Sequence, residues 1–337
     1  MTHRHISLGR SAVRISELAF GAAGIGNLFA AVSDAEAERA VAAAWESGIR
    51  YFDTAPHYGL GLSERRLGAA LRGRPRQEYT LSTKVGRLLE PLGRTDGTDL
   101  PNGFAVPATH RRVWDFTADG VRRSVEASVE RLGIDRIDIV YLHDPDDHLD
   151  IAIDQACPAL EELRAQGVVG AVGVGMNQSA ALARFVRDTD VDAVLLAGRY
   201  TLLDQRGLDD LLPLAEQRGV SVVIGGVFNS GLLADPKPGA TFDYAAAPTE
   251  VLARALDLKA LCRRHDVPLR AAALRFPFGH PAVAGVLVGA RNAAEVRDAA
   301  AMFGRPVPDA LWEDLREAGL LTPDIPVPVS QLGRNHD

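Results

Sequence analysis

The sequence has little of what marks secreted, membrane or nucleic-acid-binding proteins. It holds two cysteines, Cys157 and Cys262, with no metal-ligand spacing around either, so neither a disulfide framework nor a cysteine metal site is expected. No run of about 18 apolar residues occurs, and the N-terminus carries no apolar signal core, which argues against a membrane span and a secretion signal. A net charge of -7 and scattered arginines argue against a nucleic-acid or anionic-membrane partner. We expect a cytoplasmic protein that acts on a small molecule.

What the sequence does have is a regular alternation of two periodicities. Short apolar runs typical of strands lie near residues 18–21, 50–53, 79–84, 137–142, 169–174, 192–196, 220–224 and 284–288. Amphipathic stretches typical of helices follow them at 34–47, 63–71, 118–132, 151–166, 179–187, 207–217, 249–264 and 293–302. This alternation predicts an α/β fold, a (β/α)8 TIM barrel, and 337 residues suit one such domain over 1–337.

Three segments and a proline-rich tail fall outside this alternation. Residues 5–16 predict a β-hairpin that covers the N-terminal end of the barrel. Residues 86–117 and 225–248 are long loops that follow strand ends, so both are expected to overhang the C-terminal face, where barrel enzymes carry their active sites. The tail, 322–337, is expected to be ordered only in part.

Four chemically versatile side chains stand at or just beyond the ends of predicted strands. Asp53 and Lys84 end the second and third strands, Tyr58 lies in the loop after the second strand, and His143 follows the fourth. Because the ends of parallel barrel strands converge on one face, these side chains are expected to meet there. Tyr58 would serve as the general acid/base, and the ammonium of Lys84 would lower the pKa of its phenol. Asp53 would hold Lys84 charged, and His143 would donate to a substrate oxygen or relay a proton.

Each of these residues also has an ordinary interpretation. A tyrosine in a loop is usually a packing residue, and a lysine at a strand end is usually solvated. The acidic segment 144–150 would also suit a metallohydrolase, but such barrels generally carry a His pair on an early strand, and no His-x-His stands at a strand end in this sequence. We therefore expect no metal, and a solvated acidic loop at 146–150.

Three motifs around these residues carry a resemblance: GIRYFDTAPHYG at 48–59, STK at 82–84 and DIVYLH at 138–143. In this order they resemble the aldo-keto reductase superfamily, which implies a TIM barrel, a nicotinamide cofactor and the same four residue roles. The segments 197–204 and 273–281 further resemble the aldose 1-dehydrogenase branch. That branch contains L-fucose (D-threo-aldose) dehydrogenases, L-galactose dehydrogenases and pyridoxal 4-dehydrogenase.

The cofactor site is expected from this resemblance rather than from a Rossmann motif. The glycine-rich segment that begins at Gly21 lacks the Rossmann context of a strand end with a well-spaced acidic residue. The family lays an extended cofactor across the barrel face, where Asn177 matches the asparagine that binds the carboxamide and residues 229–233 match the loop that covers the pyrophosphate. The residues expected to bind the cofactor are Gly21, Asn177, Phe228, Ser230, Gly231, Leu232, Gly289, Arg291 and Glu295.

The nicotinamide end departs from the family pattern at two positions. The family glutamine at the end of the sixth strand corresponds to Ala197, and the aromatic residue that stacks under the nicotinamide corresponds to Gly225. Phe228 is the proposed substitute for that stacking surface.

The adenosine end indicates which dinucleotide is used. NADP-specific family members carry Lys or Arg at the positions that match Gly289 and Glu295. A carboxylate repels a 2′-phosphate but accepts hydrogen bonds from ribose hydroxyls. NAD is therefore expected over NADP, with Arg291 as the one residue that offers a phosphate a partner.

With NAD as acceptor, the expected reaction is oxidation of a pyranose sugar at C1 to the lactone. The substrate pocket is expected to be walled by His57, Trp114, Phe116 and residues near Phe29, although Trp114 and Phe116 would equally serve as packing residues of their loop. Pyridoxal, or aldehydes and ketones in general, are alternative substrates.

An alternative from another class of protein is a nucleotide-binding regulatory subunit, such as those attached to some potassium channels, which would keep the same four residues. The oligomeric state is left open.

Overall fold

The computed structural model describes residues 3–93, 97–243 and 245–329. Its strands, numbered along the chain, are β1 His5–Ser7, β2 Arg14–Ser16, β3 Leu18–Gly21, β4 Tyr51–Asp53, β5 Thr80–Val85, β6 Arg87–Pro91, β7 His110–Trp114, β8 Ile137–His143, β9 Val169–Met176, β10 Ala193–Ala197, β11 Ser221–Gly225, β12 Thr241–Phe242, β13 Ala245–Ala246 and β14 Val283–Gly289. Strands β3, β4, β5, β8, β9, β10, β11 and β14 close into a parallel barrel, so the predicted TIM barrel and all eight predicted strands are confirmed.

The helices surround this barrel. They are α1 Asp34–Glu46, α2 Leu62–Leu71, α3 Ala118–Leu132, α4 Leu149–Ile151, α5 Cys157–Ala165, α6 Ser179–Asp188, α7 Leu211–Arg218, α8 Thr249–Arg264, α9 Leu269–Arg275, α10 Ala293–Phe303 and α11 Asp309–Glu317. A π-helical turn, Ala152–Ala156, joins α4 to α5 within the helix that was expected over 151–166. Within the described residues, no helix combines the length and the apolar character needed to cross a bilayer.

Two helices were missed from the sequence, for different reasons. Helix α9 is short and buried along most of its length, so it lacks the alternation of polar and apolar faces by which a helix is recognised. Helix α11 is strongly amphipathic, with Trp312 and Leu315 buried on its inner face. It lies beyond the eighth strand–helix unit, where the barrel pattern gives no expectation of a further helix.

The N-terminal hairpin closes the barrel at the end opposite the predicted active site. Strands β1 and β2 pair antiparallel, and Leu8 and Ile15, both fully buried, pack with inward-facing strand residues such as Tyr51 and Ile139. The predicted hairpin and its position over the N-terminal end are confirmed.

The two long loops carry structure of their own. In the first, β6 pairs antiparallel with β7 and forms a ribbon that stands apart from the barrel sheet. In the second, β12 and β13 form a two-residue pair. Of the tail, residues 322–329 are described and Ile325 is buried, whereas 330–337 lie outside the described residues.

Two residues of α2 fix the packing of this helix against its neighbours. Glu64 is fully buried, accepts from Thr83 Oγ1 at 2.7 Å and from Arg131 Nε at 2.5 Å, and so ties α2 to β5 and α3. A Cβ at Gly68 would lie 1.9 Å from the carbonyl oxygen of Leu132, so only glycine allows α2 to approach α3 this closely. These residues hold the helices around the strands that carry the site.

Candidate active site

The register of the barrel strands places the predicted catalytic residues at one end. Asp53 ends β4 and pairs with Ser82 of β5. Lys84, two residues further along β5, pairs with Tyr141 of β8, and His143 ends β8. Because the strands are parallel and each of these residues lies at or near the end of its strand, all of these side chains reach the C-terminal face.

The ammonium group of Lys84 is the centre of the site. Its Nζ donates to Asp53 Oδ2 at 2.7 Å, to the Thr54 carbonyl oxygen at 2.9 Å and to the phenol oxygen of Tyr58 at 3.1 Å. These three bonds use all three ammonium hydrogens. Lys84 is 2% exposed and Asp53 is 1% exposed, so the ion pair is shielded from water and loss of either partner would leave an unpaired buried charge.

A buried hydrogen-bond chain orients the carboxylate of Asp53. Ser82 Oγ donates to Asp53 Oδ1 at 2.6 Å and lies 3.1 Å from the Tyr51 phenol oxygen, which can donate to it. The Tyr51 hydroxyl is in turn 3.1 Å from the Tyr141 hydroxyl. Sequence reasoning missed this support, since Tyr51 and Tyr141 look like ordinary apolar strand positions. The signal available was their place in the same inward-facing set as Asp53 and Ser82.

A tight turn holds Tyr58 over this ion pair. Gly59 has φ of +61°, and a Cβ there would lie 2.2 Å from the carbonyl oxygen of Gly26. The Tyr58 amide donates to the Ala55 carbonyl oxygen at 3.1 Å. Glycine after the tyrosine is therefore a requirement of the turn, and the turn aims the phenol at Lys84.

The electrostatics of Tyr58 differ from the expectation. Burial, the largest influence, raises the pKa of Tyr58, and the neighbouring charge and hydrogen bond of Lys84 oppose that rise without cancelling it. The predicted influence of Lys84, which lowers the pKa of Tyr58, is therefore present, but burial outweighs it and the net pKa lies above its ordinary value. Desolvation disfavours the ammonium of Lys84, but Asp53 and Tyr58 outweigh it and raise the pKa of Lys84 to about 12. Lys84 stays charged while Tyr58 keeps its proton at neutral pH.

His143 faces Tyr58 as a neutral imidazole. The two rings lie edge to face with centroids 5.8 Å apart. Burial, and then the positive charges of Arg87 and Lys84, hold the pKa of His143 well below its usual range. Its Nε2 is 3.7 Å from Asp144 Oδ2, and Asp144 is engaged by the guanidinium of Arg87. A neutral imidazole can donate a hydrogen bond from one nitrogen to a substrate oxygen without adding charge.

A cavity of about 550 Å³ opens above these residues. Tyr58, Lys84, His143 and His57 form its polar side. Its apolar wall comes from two loops and consists of Leu28, Phe29, Leu100, Pro101 and Phe104. The loop 86–117 thus does wall the cavity, but through residues 100–104 rather than through the two aromatic residues expected.

Those two aromatic residues lie elsewhere. Phe116 is 2% exposed, and its ring occupies the space where a Cβ of Gly86 would be, so the packing interpretation is the one the structure favours. Trp114 stacks on Phe116 with centroids 6.0 Å apart. It lines an adjoining cavity of about 640 Å³ that shares Asp144 and Asn177 with the first.

Two of the positions expected at the nicotinamide end, Asn177 and Ala197, line the same cavity. Asn177 follows the end of β9 and lines the cavity, together with Ala197 at the end of β10. Gly225 pairs with Ala197, and a Cβ there would lie 3.3 Å from Leu195, so a large aromatic side chain at Gly225 would crowd Leu195. Gly21 ends β3 beside Asp53. A cavity lined by the Asn177 amide and the small side chain of Ala197 suits the planar ring and carboxamide of a nicotinamide.

The loop expected over the pyrophosphate has an unusual backbone. Asn229, Ser230 and Gly231 all have positive φ, at 44°, 57° and 95°. The amide of Leu232 donates to Asn229, and the Leu232 side chain is buried. Asn229 Oδ1 is buried without a hydrogen-bond partner among the described residues, although its Nδ2 donates to Gly198. Phe228 packs on the main core cluster. The unpartnered Oδ1 of Asn229 is an acceptor, so it would pair with a donor such as a hydroxyl group of the cofactor rather than with the pyrophosphate.

The adenosine end is built on the start of α10. Glu295 accepts from the Arg291 amide at 2.8 Å and from the Arg291 guanidinium at 2.7 Å. Asn292 caps the helix by accepting from the Glu295 amide at 2.9 Å. Gly289 is exposed, with open space where a Cβ would be. The sequence suggested separate roles for Arg291 and Glu295, but in the structure the two side chains form one ion pair.

Within residues 3–93, 97–243 and 245–329, no group of three or more His, Cys, Asp or Glu side chains is arranged to hold a metal ion. His148, in the acidic loop, instead packs against the rings of Trp114 and Phe116, with centroids 5.5 Å and 5.4 Å away.

Comparisons with known proteins give matches along nearly the whole chain. The profile of the aldo/keto reductase family matches residues 17–319. A D-threo-aldose 1-dehydrogenase from a Pseudomonas species is 50% identical over 312 residues, which cover 91% of this chain and 95% of that protein. A pyridoxal 4-dehydrogenase from Microbacterium luteolum is 42% identical over 334 residues, which cover 94% of this chain and 97% of that protein. The holo form of an aldo-keto reductase from Bacillus halodurans matches with a TM-score of 0.73 at 27% identity, over 94% of this chain and 96% of that one.

Proposed function

This chain belongs to the aldo/keto reductase family, and on that premise we propose that it oxidises an aldose at C1 to the lactone with NAD. Membership makes it a nicotinamide-dependent oxidoreductase that interconverts an alcohol and a carbonyl group. The aldose is supported by one observation above the others, the 50% identity to a D-threo-aldose 1-dehydrogenase along nearly the whole chain. The preferred substrates in this proposal are L-fucose and related sugars, including L-galactose.

The shape of the cavity agrees with a sugar. Tyr58, His57 and His143 bring hydrogen-bonding groups to the cavity lining, and Leu28, Phe29 and Leu100 bring apolar surface. A pyranose has hydroxyl groups along its edge and C–H groups on its faces, so it can use both kinds of surface at once. The cavity volume of about 550 Å³ leaves room for a monosaccharide beside a nicotinamide.

Proton transfer is assigned to Tyr58. The hydroxyl at C1 gives up its proton to the phenolate oxygen of Tyr58 as C1 loses hydride. Bound NAD supplies the hydride acceptor. The ammonium of Lys84, 3.1 Å from the phenol oxygen, stabilises the phenolate, and Asp53 keeps that ammonium in place.

His143 is assigned to binding the oxygen that reacts. Because its pKa lies well below the usual range, it is neutral across the working pH. A neutral donor stabilises the developing carbonyl oxygen without drawing the proton away from Tyr58. Tyr58 and His143 line the same cavity, which lets both side chains reach one substrate oxygen.

NAD is proposed over NADP because Glu295 stands where the adenosine ribose is expected. Its carboxylate would repel a 2′-phosphate. The ion pair with Arg291 weakens that repulsion but also occupies the guanidinium that a phosphate would need.

Pyridoxal is the second candidate substrate. The 42% identity to a pyridoxal 4-dehydrogenase supports it, and so does the exposed ring of Phe29 in the cavity lining, on which a pyridine ring could stack.

A substrate panel with the purified full chain tests the proposal. L-fucose, D-arabinose, L-galactose, D-glucose and pyridoxal are each offered with NAD or NADP while reduced nicotinamide is followed by absorbance. We expect the highest kcat/KM for a D-threo-type aldose with NAD, and a lactone as the product. Turnover of pyridoxal alone would replace the aldose assignment. Tight nucleotide binding with no turnover of any compound would instead indicate a regulatory subunit.

A further inference from the structure

His57 is held by a clamp that the proton-transfer scheme does not use. Arg112 of β7 donates from Nε to His57 Nδ1 at 2.5 Å and from Nη2 to the His57 carbonyl oxygen at 3.1 Å. The same guanidinium makes two bonds to Asp99, at 2.7 Å and 2.6 Å. The side chains of Arg112 and Asp99 are only 12% and 4% exposed. Four directed bonds from one buried guanidinium fix both its own position and the orientation of the imidazole.

This geometry decides which nitrogen of His57 carries the proton. Arginine has donors and no acceptor, so a nitrogen that pairs with it must be an acceptor. Nδ1 is that nitrogen, and a neutral imidazole then carries its proton on Nε2. Neither Arg87 nor Lys84, the other cations near the ring, offers an acceptor that would reverse this assignment.

The position of His57 places its Nε2–H donor beside the reacting groups. His57 lines the active-site cavity, and its ring centroid is 6.1 Å from that of Tyr58 and 5.7 Å from that of His143. In the proposed function Tyr58 and His143 both bind the oxygen that reacts. Since these two residues already serve that oxygen, the donor on the neighbouring ring is available to the adjacent hydroxyl of the substrate.

We propose that Arg112 and Asp99 are positioning residues that hold His57 as the Nε2–H tautomer, which donates a hydrogen bond to the sugar hydroxyl at C2, beside the reacting carbon. The C2 part of this inference rests on the proposed aldose oxidation, whereas the tautomer part does not. The ring of Phe104 stands edge-on against His57 with centroids 5.1 Å apart. Asp99 also accepts from Asn102 and its carbonyl oxygen accepts from the Phe104 amide, so the clamp holds the apolar wall together with the donor.

The tautomer is tested without substrate by nitrogen NMR of the full chain labelled at histidine. A His57→Gln variant identifies the His57 signals by their loss. In the unmodified chain we expect Nε2 protonated and Nδ1 unprotonated, with no protonation of the ring down to mildly acidic pH. In Arg112→Met we expect the proton to distribute over both nitrogens and the ring to titrate. A spectrum that Arg112→Met leaves unchanged would overturn the clamp.

Arg111 provides the matched control. It precedes Arg112 on β7, is exposed, and pairs with Glu90 across the ribbon instead of facing the cavity. Arg111→Met should therefore leave the His57 signals as they are. If Arg112→Met proves too unstable to study, Arg112→Lys keeps a cation beside Asp99 but lacks the planar fork that contacts His57. We expect Arg112→Lys to restore folding but not the single tautomer, and full restoration of the tautomer would refute the role of the fork.

The C2 hydroxyl is tested by comparing an aldose with its 2-deoxy analogue. We expect the unmodified chain and Arg111→Met to favour the aldose in kcat/KM by about tenfold, mostly through KM, and Arg112→Met to lose that preference. Equal discrimination in the unmodified chain and Arg112→Met would overturn the assignment. If no aldose is oxidised at all, the proposed function and the C2 part fall together, and the NMR result still decides the tautomer.

Discussion

Tyr58 is subject to two opposing influences at the scale of single residues. Burial raises its pKa, and the ammonium of Lys84, held charged by Asp53, favours the phenolate. Sequence reasoning identified the second influence and missed the first, because the strand-end positions reveal which groups meet but not how much water the surrounding loops exclude. Arg112 was missed for a related reason. Its contact with His57 joins residues 55 positions apart, and it depends on the shape of a loop that the sequence does not reveal.

Removal of the Lys84 charge should shift the pH dependence of oxidation. In the proposed reaction Tyr58 accepts a proton only as the phenolate, so we expect oxidation to increase with pH until Tyr58 is deprotonated. In Lys84→Met the pKa of Tyr58 rises further, and we expect kcat to fall by about 10²- to 10⁴-fold at neutral pH with a more alkaline midpoint. Lys84→Arg, which keeps the charge, should lie closer to the unmodified midpoint. A midpoint that Lys84→Met does not move would show that Lys84 does not act through Tyr58.

At the scale of elements, the barrel strands and most of the helices could be predicted from the sequence, whereas the structure of the loops that connect them could not. The strands of the barrel and most outer helices have clear periodicity, whereas the ribbon of β6 and β7 is polar, half-exposed and outside the barrel sheet. The start of α10 is a similar case. Glu295 suggested a carboxylate facing the ribose, and only the structure pairs it with Arg291 and with the helix cap.

The start of α10 predicts a change in cofactor preference. Glu295→Gln removes the carboxylate and releases the guanidinium of Arg291, which could then bind a 2′-phosphate. We expect the NADP-to-NAD ratio of kcat/KM to rise about tenfold, the effect of one charge-assisted hydrogen bond. The double change Arg291→Gln/Glu295→Gln should cancel most of that rise. A ratio that stays constant in Glu295→Gln would place the ribose elsewhere.

At the scale of the whole molecule, barrel closure turns distant sequence positions into one site. Asp53, Lys84 and His143 are predictable from the sequence because each lies at or near the end of a parallel strand, and these ends meet on the same face. The N-terminal hairpin was predictable as well, since its apolar residues needed an interior to enter. The apolar wall at residues 100–104 was not, because its placement depends on the clamp between Arg112 and Asp99.

The measurement that bears most directly on the central claim is lactone formation from L-fucose and NAD by Tyr58→Phe beside the unmodified chain, with nucleotide affinity measured on both. Phenylalanine keeps the ring and removes only the hydroxyl that lies 3.1 Å from Lys84. We predict that kcat falls by about 10³-fold while the nucleotide dissociation constant stays nearly the same. Undiminished lactone formation by Tyr58→Phe would contradict the assignment of proton transfer to this cluster.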